Sequence, residues 1–465
     1  MSAHSSIGLI VGALMYVICL TGTLLVFSES WERWQQPEVP EFYSVDGVSA
    51  DKALDEYLSR VTDIPESIYV VLPTEQLPRI HVADRDHSWW TDADGNIDSP
   101  TEDGIAHFLE QLHVHLHMPS SLGLIVVSIV GAMLVSLIIS GLVGHPGIIK
   151  QAFQLRLGGR SRIEQTDIHN RLSVWGLPFH IMIALTGAFY GLVGFLVLLA
   201  ASALYDGDRN ALFDDVYGKD PVIKELVQKP NINQVLINLA ELEPEAEPIY
   251  AVVQNFGNET QFIELAAVLP GRFTYSEIYR FYSDGRYMNT QGLASGHSGR
   301  QFLYSLYRVH FGWFGGWGVR WLYFALGCML TVISVTGINI WLCKRAKADY
   351  LDRTWSAIVW GVPLALVGSA VAFLMFSTAL SLAFFSTLLA AIAIANGVKI
   401  SLLRLRSYLI LVLALSLIAL VFVHCFVFSF LGSLAASWAV NASLLLAALG
   451  LLVYRFVRNA ADRSG

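Results

Sequence analysis

The sequence is poor in charged residues. Asp, Glu, Lys and Arg make up 15% of its 465 residues, whereas a soluble domain carries roughly 25%. Hydrophobic residues make up 54%, which is the composition of a membrane protein. The formal net charge of −8 at pH 7 argues against nucleic acid as a partner.

Cysteine is scarce, and nucleotide-binding motifs are missing. The four cysteines lie within or at the ends of apolar segments and form no CxxC pair. Disulfides, thiolate metal sites and covalently attached haem are therefore not expected. The sequence contains no GxGxxG or Walker motif, so no nucleotide fingerprint accounts for any segment.

Long apolar runs are abundant. Eight of them approach or exceed the ~20 residues that cross a hydrocarbon core. They are Ile7–Phe27, Leu122–Val143, Val174–Leu204, Val319–Leu342, Ala357–Phe376, Thr378–Ala395, Tyr408–Leu431 and Leu434–Tyr454. The first run is too long for a signal peptide and has no basic residue before it, so we expect it to be retained as a span.

Basic residues occupy every second gap between these runs. Lys and Arg concentrate at 144–173, 343–356 and 396–407 and after residue 454. This pattern predicts a multi-pass protein of the bacterial inner membrane with both termini cytoplasmic. Two long acidic loops, at about 29–118 and 205–315, would then lie in the periplasm. No cytoplasmic segment is long enough for a flavin or NAD domain, so we expect a separate cytoplasmic or membrane electron donor, or a diffusible reductant.

The first two thirds of the chain contain an internal repeat. His4 and Leu20-Thr21-Gly22 recur, at the same spacing, as His169 and Leu185-Thr186-Gly187. Ser140-Gly141 near the end of span two likewise matches Thr336-Gly337 near the end of span four. The repeat predicts two units, 1–150 and 165–345, each with two spans and one external domain, related by a pseudo-two-fold axis along the membrane normal. Residues 355–465 form a separate accessory four-span bundle.

Each external loop predicts a small α+β domain. In the first loop, Ser49 is positioned to N-cap a helix at about 50–61, which precedes β-rich runs at Ser67–Leu72, Arg79–Val82 and Ser88–Thr91. In the second loop, a helix at about Asn233–Leu242 precedes Ile249–Gln254, Gln261–Val268 and Arg280–Ser283. A helix packed on an antiparallel sheet fits both loops.

Histidines lie at both ends of the predicted spans. Imidazole is costly in a membrane unless it is liganded or hydrogen-bonded, and it is a haem-iron ligand. The cytoplasmic layer contains His4, His145 and His169, with His180 about 16 Å deeper by helical rise. The external layer contains His113, His115, His117 and His310. Two layers predict two haems, one near each membrane face, held in a helical bundle.

The repeat suggests how the histidines pair. His113 and His310 lie 28 and 27 residues before the matched glycines Gly141 and Gly337. Matched positions approach the pseudo-two-fold axis from opposite sides, so His113 and His310 would hold an external haem, and His4 and His169 an internal one. A competing internal set is His145 with His169 or His180. A third interpretation is that His113, His115 and His117 bind zinc or copper outside the membrane.

At these residues the chain resembles the PepSY-associated transmembrane family, which includes iron-regulated inner-membrane proteins and ferric-siderophore reductases. The motifs are His4 with Leu20-Thr21-Gly22, Asp167-Ile168-His169-Asn170 with Leu177-Pro178-Phe179-His180, and Val309-His310 followed by Phe-Gly-Trp-Phe-Gly-Gly316. The segment Gly144-His145-Pro146-Gly147 also resembles the family, and coverage is about residues 1–345. The resemblance implies b-type haem, PepSY domains in the two loops, and haem-linked roles for His4, His113, His145, His169, His180 and His310.

These observations predict an α-helical polytopic membrane protein of about eight spans, with two small α+β PepSY-like periplasmic domains between spans one and two and spans three and four. We expect a transmembrane haem-b oxidoreductase that passes electrons from the cytoplasmic side to a ferric siderophore or other ferric chelate in the periplasm. The alternatives are a permease for a metal or metal chelate without haem, and a PepSY-type regulatory membrane protein.

Overall fold

The computed structural model describes residues 2–63, 65–156, 161–225, 227–345, 347–377, 380–429 and 435–464. The chain divides into two compact units. The membrane unit comprises residues 1–37, 103–192 and 317–465, and the sheet unit comprises residues 38–102 and 193–316. The predicted loop domains, at about 29–118 and 205–315, have other bounds than the two segments of the sheet unit. In the first loop the difference arises because residues 29–37 and 103–118 belong to the membrane unit.

The described residues form sixteen helices. They are α1 Ser2–Leu25, α2 Ser28–Gln35, α3 Gly47–Arg60, α4 Ile105–His115, α5 Ser120–Gly144, α6 Ile148–Gln151, α7 Ser161–Trp175, α8 Leu177–Leu204, α9 Arg209–Tyr217, α10 Ile232–Leu242, α11 Ser298–Phe311, α12 Gly316–Leu342, α13 Tyr350–Phe376, α14 Leu380–Gly397, α15 Leu402–Val427 and α16 Ala435–Ser464.

Eight of these helices are long and apolar enough to cross a membrane, which confirms the predicted polytopic helical fold: α1, α5, α8, α12, α13, α14, α15 and α16. The third span begins at Leu177 instead of Val174, because Pro178 has no backbone N–H to continue the hydrogen-bond ladder from α7. The fifth begins earlier than predicted, at Tyr350, where Asp349 and Asp352 form a capping box. Three predicted span ends, Thr378, Leu431 and Leu434, lie outside the described residues.

Histidines at the predicted outer ends of spans two and four lie on separate short helices. His113 is on α4, which Leu116 and His117, both in the left-handed backbone region, separate from α5. His310 is on α11, which ends at Gly312 before α12 begins. The predicted apolar runs begin after these breaks, at Leu122 and Val319, so the sequence analysis did not describe the two short helices.

The sheet unit is built on eight antiparallel strands in the order β4-β3-β2-β1-β5-β6-β7-β8. They are β1 Ser67–Val71, β2 Ile80–Ala83, β3 Ser88–Thr91, β4 Ile97–Pro100, β5 Glu247–Gln254, β6 Phe262–Val268, β7 Glu277–Tyr282 and β8 Tyr287–Thr290. The two predicted α+β halves are joined, because β1 pairs with β5 from Ser67↔Gln254 to Val71↔Tyr250. The sequence analysis missed β4 and β8, which are short edge strands with few β-branched residues.

Both halves share one hydrophobic core. Helices α3 and α10 lie on the same face, where Leu54 and Tyr57 from the first half pack with Leu239 and Phe281 from the second. Asp51 of α3 also caps α10, since its carboxylate accepts the backbone N–H of Ile232 at 2.6 Å. The predicted N-cap of α3, Ser49, is wrong: Asp46 is the cap, and it accepts the N–H of Ser49.

Candidate functional site

Two histidines from matched repeat positions meet in the membrane unit. His4 lies in the first turn of α1 and His169 lies on α7, and their ring centroids are 6.5 Å apart with the ring planes at 87°. Two imidazoles on opposite sides of one metal ion have centroids about 6 Å apart, because each metal–nitrogen bond is about 2 Å and each ring radius about 1 Å. The separation of His4 and His169 is therefore suited to a shared metal ion.

The Nδ1 atom of each inner histidine is fixed by a matched hydroxyl. His4 Nδ1 lies 3.1 Å from Ser140 Oγ and 3.1 Å from the carbonyl oxygen of Leu137. His169 Nδ1 lies 3.1 Å from Thr336 Oγ1. Ser140 and Thr336 occupy equivalent positions in the repeat, so each half of the chain holds its imidazole in the same way.

These contacts determine which ring nitrogen carries the proton. The hydroxyl hydrogens of Ser140 and Thr336 are donated to carbonyl oxygens one turn earlier on their own helices. Each hydroxyl oxygen therefore accepts from the imidazole, which places the proton on Nδ1. The Nε2 lone pair is then available for a metal, and a histidine ligand commonly donates its other N–H in this manner. The sequence analysis predicted the Ser-Gly and Thr-Gly pairs as a repeat but not as hydrogen-bond partners of histidine.

His169 lies on α7, before the third span, and burial favours its neutral form. Burial, together with the neighbouring His4, lowers the pKa of His169 to about 4.

Asp167, one of the residues of the predicted motif, stabilises the loop before α7. Its carboxylate accepts the backbone N–H of Arg156 at 2.9 Å and two guanidinium hydrogen bonds from the same residue. Arg156 holds the pKa of Asp167 below its usual range.

His113, on α4, forms a second level because it contacts α1, the helix that carries His4. Its Nδ1 donates to the carbonyl oxygen of Ile18 at 2.9 Å, and Thr21 Oγ1 lies 3.5 Å away. A Cβ on Gly22 would lie 2.5 Å from His113 Cε1, so the ring requires glycine there. Burial lowers the pKa of His113. His4 and Gly22 are about 27 Å apart along α1 by helical rise, close to the thickness of a hydrocarbon core.

His310 lies half-buried on α11 in the sheet unit. Its predicted pairing with His113 therefore stays a prediction. His145 is half-buried at the end of α5, with its Cε1 3.9 Å from the position of a Cβ on Gly147. No contact among the described residues joins His145 to His169 or His180, so the competing inner sets also stay predictions.

His180 is a buried imidazole within the third span. It is 2% exposed, and it is hydrogen-bonded to the backbone of Leu326 on α12. Its Nε2 has no hydrogen-bond partner among the described residues. A Cβ on Gly176 would lie 2.3 Å from His180 Cε1, so the ring occupies the space that this glycine leaves. A buried nitrogen without a partner is costly, and a ligand on Nε2 would remove that cost.

The two additional outer histidines have other contacts. His115 Nδ1 lies 3.0 Å from Gln111 Oε1, one turn earlier on α4. His117 stacks on Phe108 with ring centroids 4.3 Å apart, and its Nε2 lies 3.1 Å from the Phe108 carbonyl oxygen. Across the part of the chain that the structure describes, no group of three or more His, Cys, Asp or Glu is arranged to hold a metal ion. The arrangement gives the zinc or copper interpretation no support.

The accessory bundle contains a buried histidine of a different kind. His424 Nε2 donates to the carbonyl oxygen of Trp34 at 2.9 Å, and its Nδ1 accepts from Asn441 Nδ2 at 3.2 Å. Trp34 Nε1 donates to Asn441 Oδ1 at 2.9 Å, which closes a ring of three residues. Both nitrogens of His424 are thus used, so this cluster fastens α2 to α15 and α16 and leaves no atom for a ligand.

The fold and these histidines define a polytopic helical membrane protein with an α+β insert and with histidines beside and within its core spans. The family model of the PepSY-associated TM region matches residues 1–344, and the chain belongs to this family. The chain is also 24% identical over 266 residues to an uncharacterized protein of Pseudomonas aeruginosa, a match that covers 54% of this chain and 68% of the relative. The family match ends before the accessory bundle.

Proposed function

We propose that this protein is a transmembrane haem-b oxidoreductase that carries electrons from the cytoplasmic side of the inner membrane to the periplasm. The observation that carries the proposal is the pair His4 and His169. One comes from each repeat unit, their centroids are 6.5 Å apart, and each has its Nδ1 bound to a hydroxyl so that Nε2 is available. These two residues would hold one haem, which would supply one-electron redox chemistry there.

The remaining histidines support a second level. The Nδ1 atom of His113 is also bound, to the carbonyl oxygen of Ile18, which lies about 21 Å from His4 along α1 by helical rise. The repeat proposes His310 as its partner. His180, with an unpartnered buried Nε2, offers a ligand at intermediate depth. Bound haem supplies an iron that takes up and releases one electron at a time, and ligation by two histidines leaves no open position for oxygen.

The residues of the chain perform three tasks in this proposal. The imidazoles of His4 and His169 hold the cofactor in a fixed orientation through Ser140 and Thr336. Burial lowers the pKa of His169, which favours the neutral imidazole that a ligand requires. The external side delivers one electron to each ferric ion, which becomes ferrous. A ferric siderophore or other ferric chelate is the proposed acceptor, and this part of the proposal rests on the family resemblance.

The proposal is tested first by the visible spectrum of the purified full-length protein. We expect a dithionite-reduced minus air-oxidised difference spectrum with b-type bands, and about two haems per chain by the pyridine haemochrome assay. His4→Ala and His169→Ala should each remove the same haem, whereas His107→Ala, on the surface of α4, should remove none. A protein that binds metal but shows no b-type band would favour the permease alternative.

The acceptor is tested in proteoliposomes. With reductant enclosed and a ferric chelate outside, we expect ferrous iron to form outside, as detected by a ferrous-specific chromogenic chelator. His169→Ala should abolish this signal. A wild-type protein that contains haem but reduces no ferric chelate would exclude the proposed acceptor and leave the electron-transfer proposal in place.

A further inference from the structure

A cavity lined by three arginines lies in the accessory bundle. Its volume is about 60 Å³, and it lies between α13, α15 and α16. Arg406 lines it from α15, and Arg455 and Arg458 line it from α16. Trp360 and Leu403 form part of its apolar wall. This cavity lies outside residues 1–344, so it belongs to the part of the chain that the family match does not cover.

The arginines are positioned by hydrogen bonds that leave most of their donors free. Arg406 donates through Nε to Ser356 Oγ at 2.9 Å. Arg455 donates through Nε to the carbonyl oxygen and to Oγ of Ser407, at 3.1 and 3.0 Å. No described residue accepts a hydrogen bond from the Nη atoms of Arg406 or Arg455. A guanidinium has five N–H donors, and only the Nε donor of each of these two arginines is used. The two pairs of Nη groups, which we call the free forks, therefore lack acceptors among the described residues.

Negative charge near the cavity is insufficient to balance these cations. Arg458 pairs with Glu164 through Nη1 and Oε1 at 3.2 Å. Asp352 attracts Arg406 electrostatically, but it also lies 3.6 Å from Arg345 and accepts the backbone N–H of Asp349. An anion that binds both free forks would therefore satisfy charge and hydrogen bonds together.

We propose that this cavity binds the phosphate group of an anionic phospholipid. A volume of about 60 Å³ accommodates one phosphate group and is too small for a dinucleotide. Exposed apolar side chains beside the cavity, Leu403 and Tyr454, provide a surface for the glycerol and acyl chains. Basic pockets between transmembrane helices on the cytoplasmic side are typical sites for anionic headgroups, and the basic gaps predict that side here.

The test is lipid binding to the purified full-length protein, measured by native mass spectrometry with phosphatidylglycerol or phosphatidylcholine added. We expect the wild type to retain phosphatidylglycerol at least about tenfold more tightly than phosphatidylcholine. The double variant Arg406→Gln/Arg455→Gln should lose this preference. Arg404→Gln is the matched control, because Arg404 is an exposed arginine on the same helix and does not line the cavity.

Each remaining outcome decides the proposal. An equal loss of preference in Arg404→Gln would show a general charge effect and overturn it. Displacement of phosphatidylglycerol by equimolar inorganic phosphate would overturn the lipid assignment in favour of free phosphate. Where the double variant is not monodisperse, Arg455→Lys decides, because it keeps the charge and loses the fork: we expect a partial loss of preference, and an unchanged preference would overturn the proposal.

Discussion

Histidines in the repeat core and in the accessory bundle differ in which nitrogen the protein uses. In the core, His4, His113 and His169 each have Nδ1 bound to a carbonyl or hydroxyl oxygen of a neighbouring helix. In the accessory bundle, His424 donates from Nε2 and accepts at Nδ1. The core histidines are thus held as ligands are held, with Nε2 available, whereas His424 is a closed structural link. The two classes also differ in burial, because His4, His113 and His169 are half-buried and His424 is buried.

The strongest test of this comparison measures haem content and melting temperature in two alanine variants, one from each region. We expect His169→Ala to remove about half of the haem per chain, since it deletes one ligand of one of two haems. His424→Ala should leave the b-type spectrum unchanged and lower the melting temperature instead. It leaves the Trp34 carbonyl without the hydrogen bond from His424, at a cost of about 1–3 kcal/mol. Asn441 Nδ2 keeps only its weak contact with Cys425 Sγ at 3.9 Å. The haemochrome assay and a thermal melt of the same preparations measure both effects.

A loss of haem in His424→Ala, without a change in oligomeric state, would contradict the division between the two regions. So would a His169→Ala protein that keeps both haems. Because His4 is in the same pair, His4→Ala should reproduce the spectrum of His169→Ala, and the double variant should lose no more haem than either single variant.

The second prediction concerns the space that the outer histidine occupies. Gly22→Ala places a Cβ 2.5 Å from His113 Cε1, so the ring must move and its Nδ1 contact with Ile18 must break. We expect the haem that depends on His113 to be lost or its absorption band to shift. Gly141→Ala is the matched control, since its Cβ would lie 3.4 Å from His4 Cε1, which is nearly an ordinary contact. Equal effects of the two alanines would contradict the proposed role of Gly22.

The third prediction concerns the hydroxyl that fixes the inner tautomer. Thr336→Val keeps the shape of the side chain and removes the oxygen that accepts from His169 Nδ1. Loss of such a partner commonly costs 10–100-fold in metal affinity. We expect about tenfold, because the backbone of Ile333 also contacts His169. Transfer of haem to excess apomyoglobin measures the change.

Thr336→Ser is the conservative control for this variant, because it restores the hydroxyl without the methyl group. We expect haem transfer at a rate close to that of the wild type, together with recovery of any shift in midpoint potential. If Thr336→Ser and Thr336→Val behave alike, Thr336 contributes packing and not a hydrogen bond.

Much of the fold could be predicted from the sequence because membrane spans and internal repeats leave strong patterns. The eight spans and the residues of the inner pair follow from hydropathy and from the repeat of His4 as His169. The union of the two α+β halves could not be predicted, since pairing of β1 with β5 joins strands about 180 residues apart in the sequence. The function of Ser140 and Thr336 was also missed, because small residues in spans more commonly indicate helix packing.

The smallest expected change in stability concerns Trp34, which stacks on His424 in the accessory bundle. Trp34→Phe keeps the stack on His424, whose ring centroid lies 4.5 Å from that of Trp34, and removes the indole N–H that Asn441 Oδ1 accepts. Asn441 retains its bond to His424, so we expect a loss of about 1 kcal/mol in stability and no change in the haem spectrum. Trp31→Phe on the same helix is the control. The Leu24 carbonyl, which accepts from Trp31 at 3.0 Å, also accepts from the backbone N–H of Phe27, so it keeps a partner. We therefore expect a smaller shift in melting temperature for Trp31→Phe, and a larger one would contradict a closed ring at His424.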